Sequence, residues 1–176
     1  MSAEQYANSY LKDEVKIIEN SERQTIAPEL NIFEKALIYK YSEDGYQDLN
    51  EQLRISKGEN ISNFGQLLYE SLEKLPNFIG NVYRSINLND IEYNKYLTAF
   101  QNDEIIIEPF FISTSRSQLI GNQFGRIRFE IFCQRGKNIG SISKYASEKE
   151  VLINYNSQFR VIEVNEIKKH IKLIEI

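Results

Sequence analysis

The sequence predicts an α+β fold, helical in its first half and strand-rich in its second. Three features of the 176 residues point there. Apolar residues recur at helical spacing up to Leu75 and shift to strand spacing beyond it. Tyr (11) and Phe (10) are abundant while Trp is absent, and such aromatics suit a half-buried pleated surface. Turn signals at Gly136, Gly140 and Asn154 to Ser157 divide the second half into short strands.

Within residues 4–19, Tyr6, Tyr10, Val15 and Ile18 fall at helical spacing. Pro28, with its fixed φ, opens a second helix whose stripe is Leu30, Phe33, Leu37, Ile38 and Tyr41. Asp44-Gly45 marks a turn before a short third helix bearing Tyr46, Leu49, Leu53 and Ile55. Ser62 caps a fourth helix, with Phe64, Leu67, Leu68, Leu72 and Leu75 on one face, and Pro76-Asn77 stops it. Phe78 to Ile86 is a strand, and Asn89 or Asp90 caps a helix through Phe100. Ile105 to Ser115 reads as one apolar strand and Arg116 to Phe124 as a polar loop. Strands follow at 125–133 and 137–142, then a loop through Ser147, then strands at 149–154, 158–164 and 169–175. Neither half is long enough to be comfortable alone, which favours one domain, with residues 1–29 as a peripheral arm or helix.

Composition excludes several classes. A net charge of -4 and a pI near 5.2 lack the basic footprint of a nucleic-acid binder. The single cysteine, Cys133, forms no internal disulfide and sits in an apolar run, as a buried strand residue does. With one histidine, His170, the chain has neither the ligands for a usual zinc site nor the setting of a Ser-His-Asp triad, so no metal is expected. No apolar run approaches the roughly 18 residues of a membrane span, so no membrane insertion is expected. The polar N-terminus lacks the pattern of a signal peptide.

Three short segments carry chemistry: Val82-Tyr83-Arg84-Ser85, Phe111-Ile112-Ser113-Thr114-Ser115 and Ser147-Glu148-Lys149-Glu150-Val151-Leu152-Ile153. Taken singly, each has an ordinary structural reading: a solvated strand arginine, a hydrogen-bonded strand end and a solvated charged face. In this order and spacing they resemble the arginine-specific mono-ADP-ribosyltransferases, which include bacterial toxins and animal ectoenzymes. The signature of that family is Arg on one strand, Ser-Thr-Ser on a later one and Glu-x-Glu on a third. Here these are Arg84, Ser113-Thr114-Ser115 and Glu148-x-Glu150. Upstream, Tyr41, Tyr46, Leu49-Asn50 and Leu53-Arg54 look like the family's preceding helical region, so the resemblance spans about residues 30–176 as a catalytic domain. One departure is Ser85, where the family often has Gly after the motif Arg.

The resemblance implies helices packed on a two-sheet β core that forms an NAD cleft, with NAD as substrate. Nicotinamide leaves as a neutral ring, so positive charge develops on the ribose, where a carboxylate stabilises it. The resemblance gives that role to Glu150, on the ribose 2′-hydroxyl. If residues 148–150 are strand, Glu148 and Glu150 point the same way, about 6–7 Å apart. Glu148 then faces the acceptor, holds its guanidinium and takes a proton as the bond forms. Arg84 pairs with a phosphate of NAD, and Ser113 holds Glu150 and ribose. Thr114 and Ser115 brace the strand beside the cofactor, and Ser85 approaches the nicotinamide amide. Phe124 either stacks on nicotinamide or starts the next strand, and Arg116 is a further phosphate candidate. Tyr145, in the loop from Ser143 to Ser147, either meets the acceptor or packs locally.

The implied partner is a target protein bearing an acceptor arginine. The same residues also serve an NAD glycohydrolase, and a catalytically inactive binding module of the same fold is the reading from another class. Acidity and Glu148 count against transfer to a nucleic-acid base. The expected setting is the cytoplasm, or a host cell reached by a route not encoded here, as for a toxin or effector.

Overall fold

The computed structural model describes all 176 residues. The N-terminal layer is helical, but its boundaries differ from the expected ones. Residues 4–19 form two helices, α1 (Ala3–Tyr10) and α2 (Lys12–Glu19), because the backbone leaves helical geometry at the buried Leu11. Their faces, with Ala7, Val15 and Ile18, pack on Ala36, Leu37 and Leu67. Pro28 does not open a helix. The next one, α3, spans Ile32–Lys40, because Asn31 accepts from the Phe33 and Glu34 amides at 3.0 Å while Glu34 accepts from the Asn31 amide.

Asp44-Gly45 is not a turn. The chain runs from α3 through one π-helical turn, Tyr41–Gly45, directly into α4 (Tyr46–Ile55). Gly45 serves close approach instead: a Cβ there would meet the Lys40 carbonyl at 3.0 Å and the Phe64 ring at 3.1 Å. Ser62 caps α5 (Asn63–Glu73), accepting from the Gly65 amide at 3.2 Å, and β1 (Asn77–Ile86) follows Pro76. Asn89 caps α6 (Asp90–Asn102) through a further capping box. No helix is long and apolar enough to cross a membrane.

The apolar run 105–115 is two strands, not one. β2 (Ile105–Glu108) and β3 (Ile112–Ser115) are separated by Pro109, which offers no ladder donor, and they lie at different places in the sheet. The polar loop after β3 contains a short helix, α7 (Gln118–Gly121). The two strands expected at 125–142 are instead one, β4 (Ile127–Asn138), and residues 139–142 enter the following loop. β5 (Glu150–Ile153), β6 (Ser157–Asn165) and β7 (His170–Glu175) complete the sheet.

The order is β1-β3-β5-β4-β7-β6-β2, and β1 also pairs with β4 along most of its length. β1, β3, β5 and β4 thus close a ring of antiparallel pairings, while β7, β6 and β2 extend from β4 as a second arm. Only β4–β7 is parallel. Both arms feed one apolar core, where Val82, Ile112 and Val151 meet Phe159, Val161 and Leu173 under Tyr96 of α6. A second core lies under the helices: Leu53, Leu68 and Leu72 cover Phe111 and Leu152. Asn50 ties the two layers, donating to the Phe111 carbonyl at 3.1 Å and accepting from its amide at 3.0 Å. That pair of hydrogen bonds sets the start of β3 against α4, and β3 carries Ser113 to Ser115.

Candidate active site

β1, β3 and β5 are neighbours, and each carries one of Arg84, Ser113-Thr114-Ser115 and Glu150. Tyr83 pairs with Ser115, and Ser115 pairs with Glu150. Beside them is a cavity of about 320 Å³. Arg84, Ser85, Ser113, Thr114, Ser115, Phe124, Tyr145, Glu148 and Glu150 all line it. So do Tyr41, Ser42, Glu43 and Tyr46, which sequence reasoning did not place in a site. The π-helical turn presents the first three on one side and Tyr46 opens α4 beside them, a geometry with no simple periodic signal. Arg116 is exposed and does not line the cavity. His170 lies elsewhere, on β7, within 4.0 Å of Glu130 and Glu163 carboxylates.

Glu150 is the first residue of β5 and is 4% exposed. Ser113 Oγ donates to its Oε1 at 2.5 Å. Burial raises the Glu150 pKa to about 7; the Ser113 bond opposes the rise and neighbouring Glu148 adds to it. Thr114 and Ser115 spend their hydroxyls on backbone, donating to the carbonyls of Val151 and Glu148 at 2.6 Å each. These bonds hold β3 to β5 and to the turn before it.

Glu148 is not on the strand. It ends a short 3₁₀ turn, Ala146–Glu148, and Lys149 follows in the left-handed region with φ 51°. Same-face alternation therefore does not relate the two glutamates. The turn places Glu148 half-buried at the cavity wall, where desolvation raises its pKa.

Arg84 is a cation without an anion. Its Nε is buried with no hydrogen-bond partner, and no carboxylate lies within ion-pair distance of its guanidinium. Burial lowers its pKa; Tyr96, Tyr41 and Glu108 oppose that, and Arg54 adds to it. The Arg54 guanidinium stands 4.3 Å from the Phe110 ring centroid. Orphaned buried donors are rare because they forfeit hydration without compensation, so this arrangement fits a site for a phosphate-bearing ligand.

Ser85 is 2% exposed, and its hydroxyl is committed. It donates to the Gly121 carbonyl at 2.8 Å and accepts from the Phe124 and Gly125 amides at 2.9 and 3.0 Å. One donor and two acceptor positions are all that a hydroxyl has. Ser85 therefore clamps the loop after α7 onto β1 and has no hydrogen-bonding capacity left for a ligand. Gly121 and Gly125 permit the contact: a Cβ on either would fall within 2.7 Å of β1 backbone. Phe124, between them, is 61% exposed at the cavity mouth and is not a core residue.

Residues 7–175 match the family model for ADP-ribosyltransferase exoenzymes. The chain belongs to that family. It is 27% identical over 156 residues to Vis of Vibrio splendidus, provisionally named an NAD(+)–arginine ADP-ribosyltransferase, covering 78% of this chain and 61% of that protein. It is 33% identical over 133 residues to Mav of Mycobacterium avium, provisionally named likewise, covering 72% of this chain and 15% of that protein. The chain thus spans less than two thirds of either relative. In fold it matches the ADP-ribosyltransferase HopU1 of Pseudomonas syringae, with a TM-score of 0.83, 22% identity, and coverage of 94% of this chain and 87% of that one. It also matches Vis as crystallised with agmatine, with a TM-score of 0.67, 21% identity, and coverage of 94% and 85%.

Proposed function

We propose that the chain transfers ADP-ribose from NAD to an arginine side chain of a target protein, releasing nicotinamide. The observation that carries this reading is one cavity with a buried, Ser113-bound Glu150, an Arg84 without an ion-pair partner and with its Nε buried, and a separate carboxylate, Glu148, on a turn. Arg84, with Arg54 beside it, supplies positive charge suited to the diphosphate of NAD. Glu150 stabilises positive charge as it grows on the ribose. Glu148 receives the guanidinium and accepts its proton as nitrogen attacks. Vis, which shares this fold, was crystallised with agmatine, a small guanidinium compound, and it is described as a toxin. By that kinship the target lies in another cell.

The test is incubation with labelled NAD, with and without agmatine. Label on agmatine, lost in Glu150→Ala, supports the reading. Glu148→Gln should abolish transfer yet keep some NAD cleavage. Free ADP-ribose with no labelled acceptor would favour hydrolysis instead, and no turnover under any condition would sink the enzymatic reading.

A further inference from the structure

The loop between β4 and β5 brings Tyr145 and Glu148 to the cavity, and its root is gripped from far away in sequence. Arg23, in the short 3₁₀ turn Glu22–Gln24, donates from Nε to the Ile142 carbonyl at 2.8 Å and from Nη2 to the Ser143 carbonyl at 2.9 Å. Its guanidinium lies 5.2 Å from the Tyr39 ring centroid, which fixes its orientation. Two further ties come from the π-helical turn. Ser42 Oγ accepts from the Lys144 amide at 2.8 Å, and Glu43 pairs with Lys144 Nζ at 2.5 Å. Ser143 is fully buried, and Ile139 and Ile142 belong to the core beneath the helices. Beyond Lys144 the chain emerges: Tyr145 is 46% exposed, and the Ser115 bond to the Glu148 carbonyl ties the far end.

From these ties we propose that residues 21–24 act, through Arg23, as a positioning element that sets where Glu148 and Tyr145 stand relative to Glu150. The proposal rests on the transferase reading. Arg23 does not line the cavity, so it is a positioning residue. Its two bonds go to backbone carbonyls, so they fix the path of the loop whatever side chains the loop carries. Loosening this root displaces the acceptor side while leaving Arg84, Ser113 and Glu150, which are fixed by the sheet, in place. Transfer to a guanidinium needs attacking nitrogen and ribose held in register, and small displacements there cost much. Attack by water needs no such alignment of a bound acceptor.

The experiment measures the partition of labelled ADP-ribose between agmatine and water at saturating NAD, for wild type, Arg23→Gln and Lys144→Met. Arg23→Gln should lower agmatine transfer about fivefold or more, raise the KM for agmatine and keep NAD hydrolysis within about twofold. Hydrogen exchange at amides 143–149 should quicken in the same variant. Lys144→Met, at a partly exposed position whose loss threatens no core packing, should shift the partition in the same direction by less. Wild type that labels no agmatine would overturn the transferase reading and this proposal with it. Wild type that transfers, beside an Arg23→Gln that keeps the wild-type partition or loses transfer and hydrolysis equally, would overturn the positioning role of Arg23 alone.

Discussion

Ser113 and Glu150 share a 2.5 Å hydrogen bond across neighbouring strands, and the carboxylate it reaches is almost completely buried. The bond favours the ionised carboxylate and burial favours the neutral one; burial wins, leaving the pKa near 7. A stabiliser of positive charge acts only when ionised. kcat/KM for NAD should therefore climb with pH and level off above about 7, falling toward tenfold per unit below it. The positive nicotinamide ring favours the anion once NAD is bound, so the breakpoint in kcat should lie lower than that in kcat/KM. Profiles from pH 5 to 9 measure both, and a flat kcat/KM across that range would remove Glu150 from this role.

The same buried carboxyl weakens the fold as pH rises. Its folded pKa, about 7, exceeds the ordinary value of 4.5, so the folded state holds the proton longer than the unfolded chain does. That advantage is complete below about 4.5 and vanishes as pH climbs through about 7. Glu150→Gln retains an acceptor for Ser113 and carries no charge. It should be more stable than wild type at pH 8 by on the order of 2–3 kcal/mol, with a smaller gap at pH 5, while losing activity. Urea melts at the two pH values measure this; equal gaps would contradict it.

Arg84 should show the same opposition between site and stability. Without ligand its half-buried guanidinium has no carboxylate partner and its Nε is buried and unpaired, so Arg84→Met should be at least as stable as wild type. NAD should raise the Tm of wild type and leave that of Arg84→Met unmoved, since ligand stabilisation requires binding. Arg84→Lys, which keeps charge but not the planar fork, should fall between them. An Arg84→Met protein that NAD still protects would place the phosphates elsewhere.

Removing the Ser85 hydroxyl strands two amides and a carbonyl at once. Ser85→Ala should cost about 1–3 kcal/mol and release the loop carrying Phe124. We expect a severalfold higher KM for NAD with kcat less affected, and faster hydrogen exchange at residues 117–125. Unchanged exchange there would show that Gly121 and Gly125 packing holds the loop unaided.

The motif residues were legible as a set because their chemistry is written in residue type: Arg84, Ser113 and Glu150 do face one cavity. Helix starts were legible where a side chain caps the backbone, as at Ser62 and Asn89. What sequence reasoning missed lies in geometry without a periodic signature. Pro109 splits an apolar run that hydrophobicity alone reads as continuous, and the π-helical turn makes Asp44-Gly45 look like a terminus. Lys149 takes a positive φ that its side chain does not announce, so the strand geometry assumed for Glu148 failed. The contacts of Ser85 and Arg23 join residues 36 to 120 positions apart, beyond the reach of any local pattern.

Lys149 has a consequence beyond local strain. Because the left-handed residue separates Glu148 from Glu150, the two carboxylates belong to different mechanical units. One is anchored by a strand whose every residue is buried, the other by a partly exposed turn. An exchange at position 148 falls on that turn, whereas one at position 150 falls within the sheet. On the proposed reading, the choice of acceptor is thereby separated in the fold from the part that opens NAD: the first rests on a turn, the second on a strand.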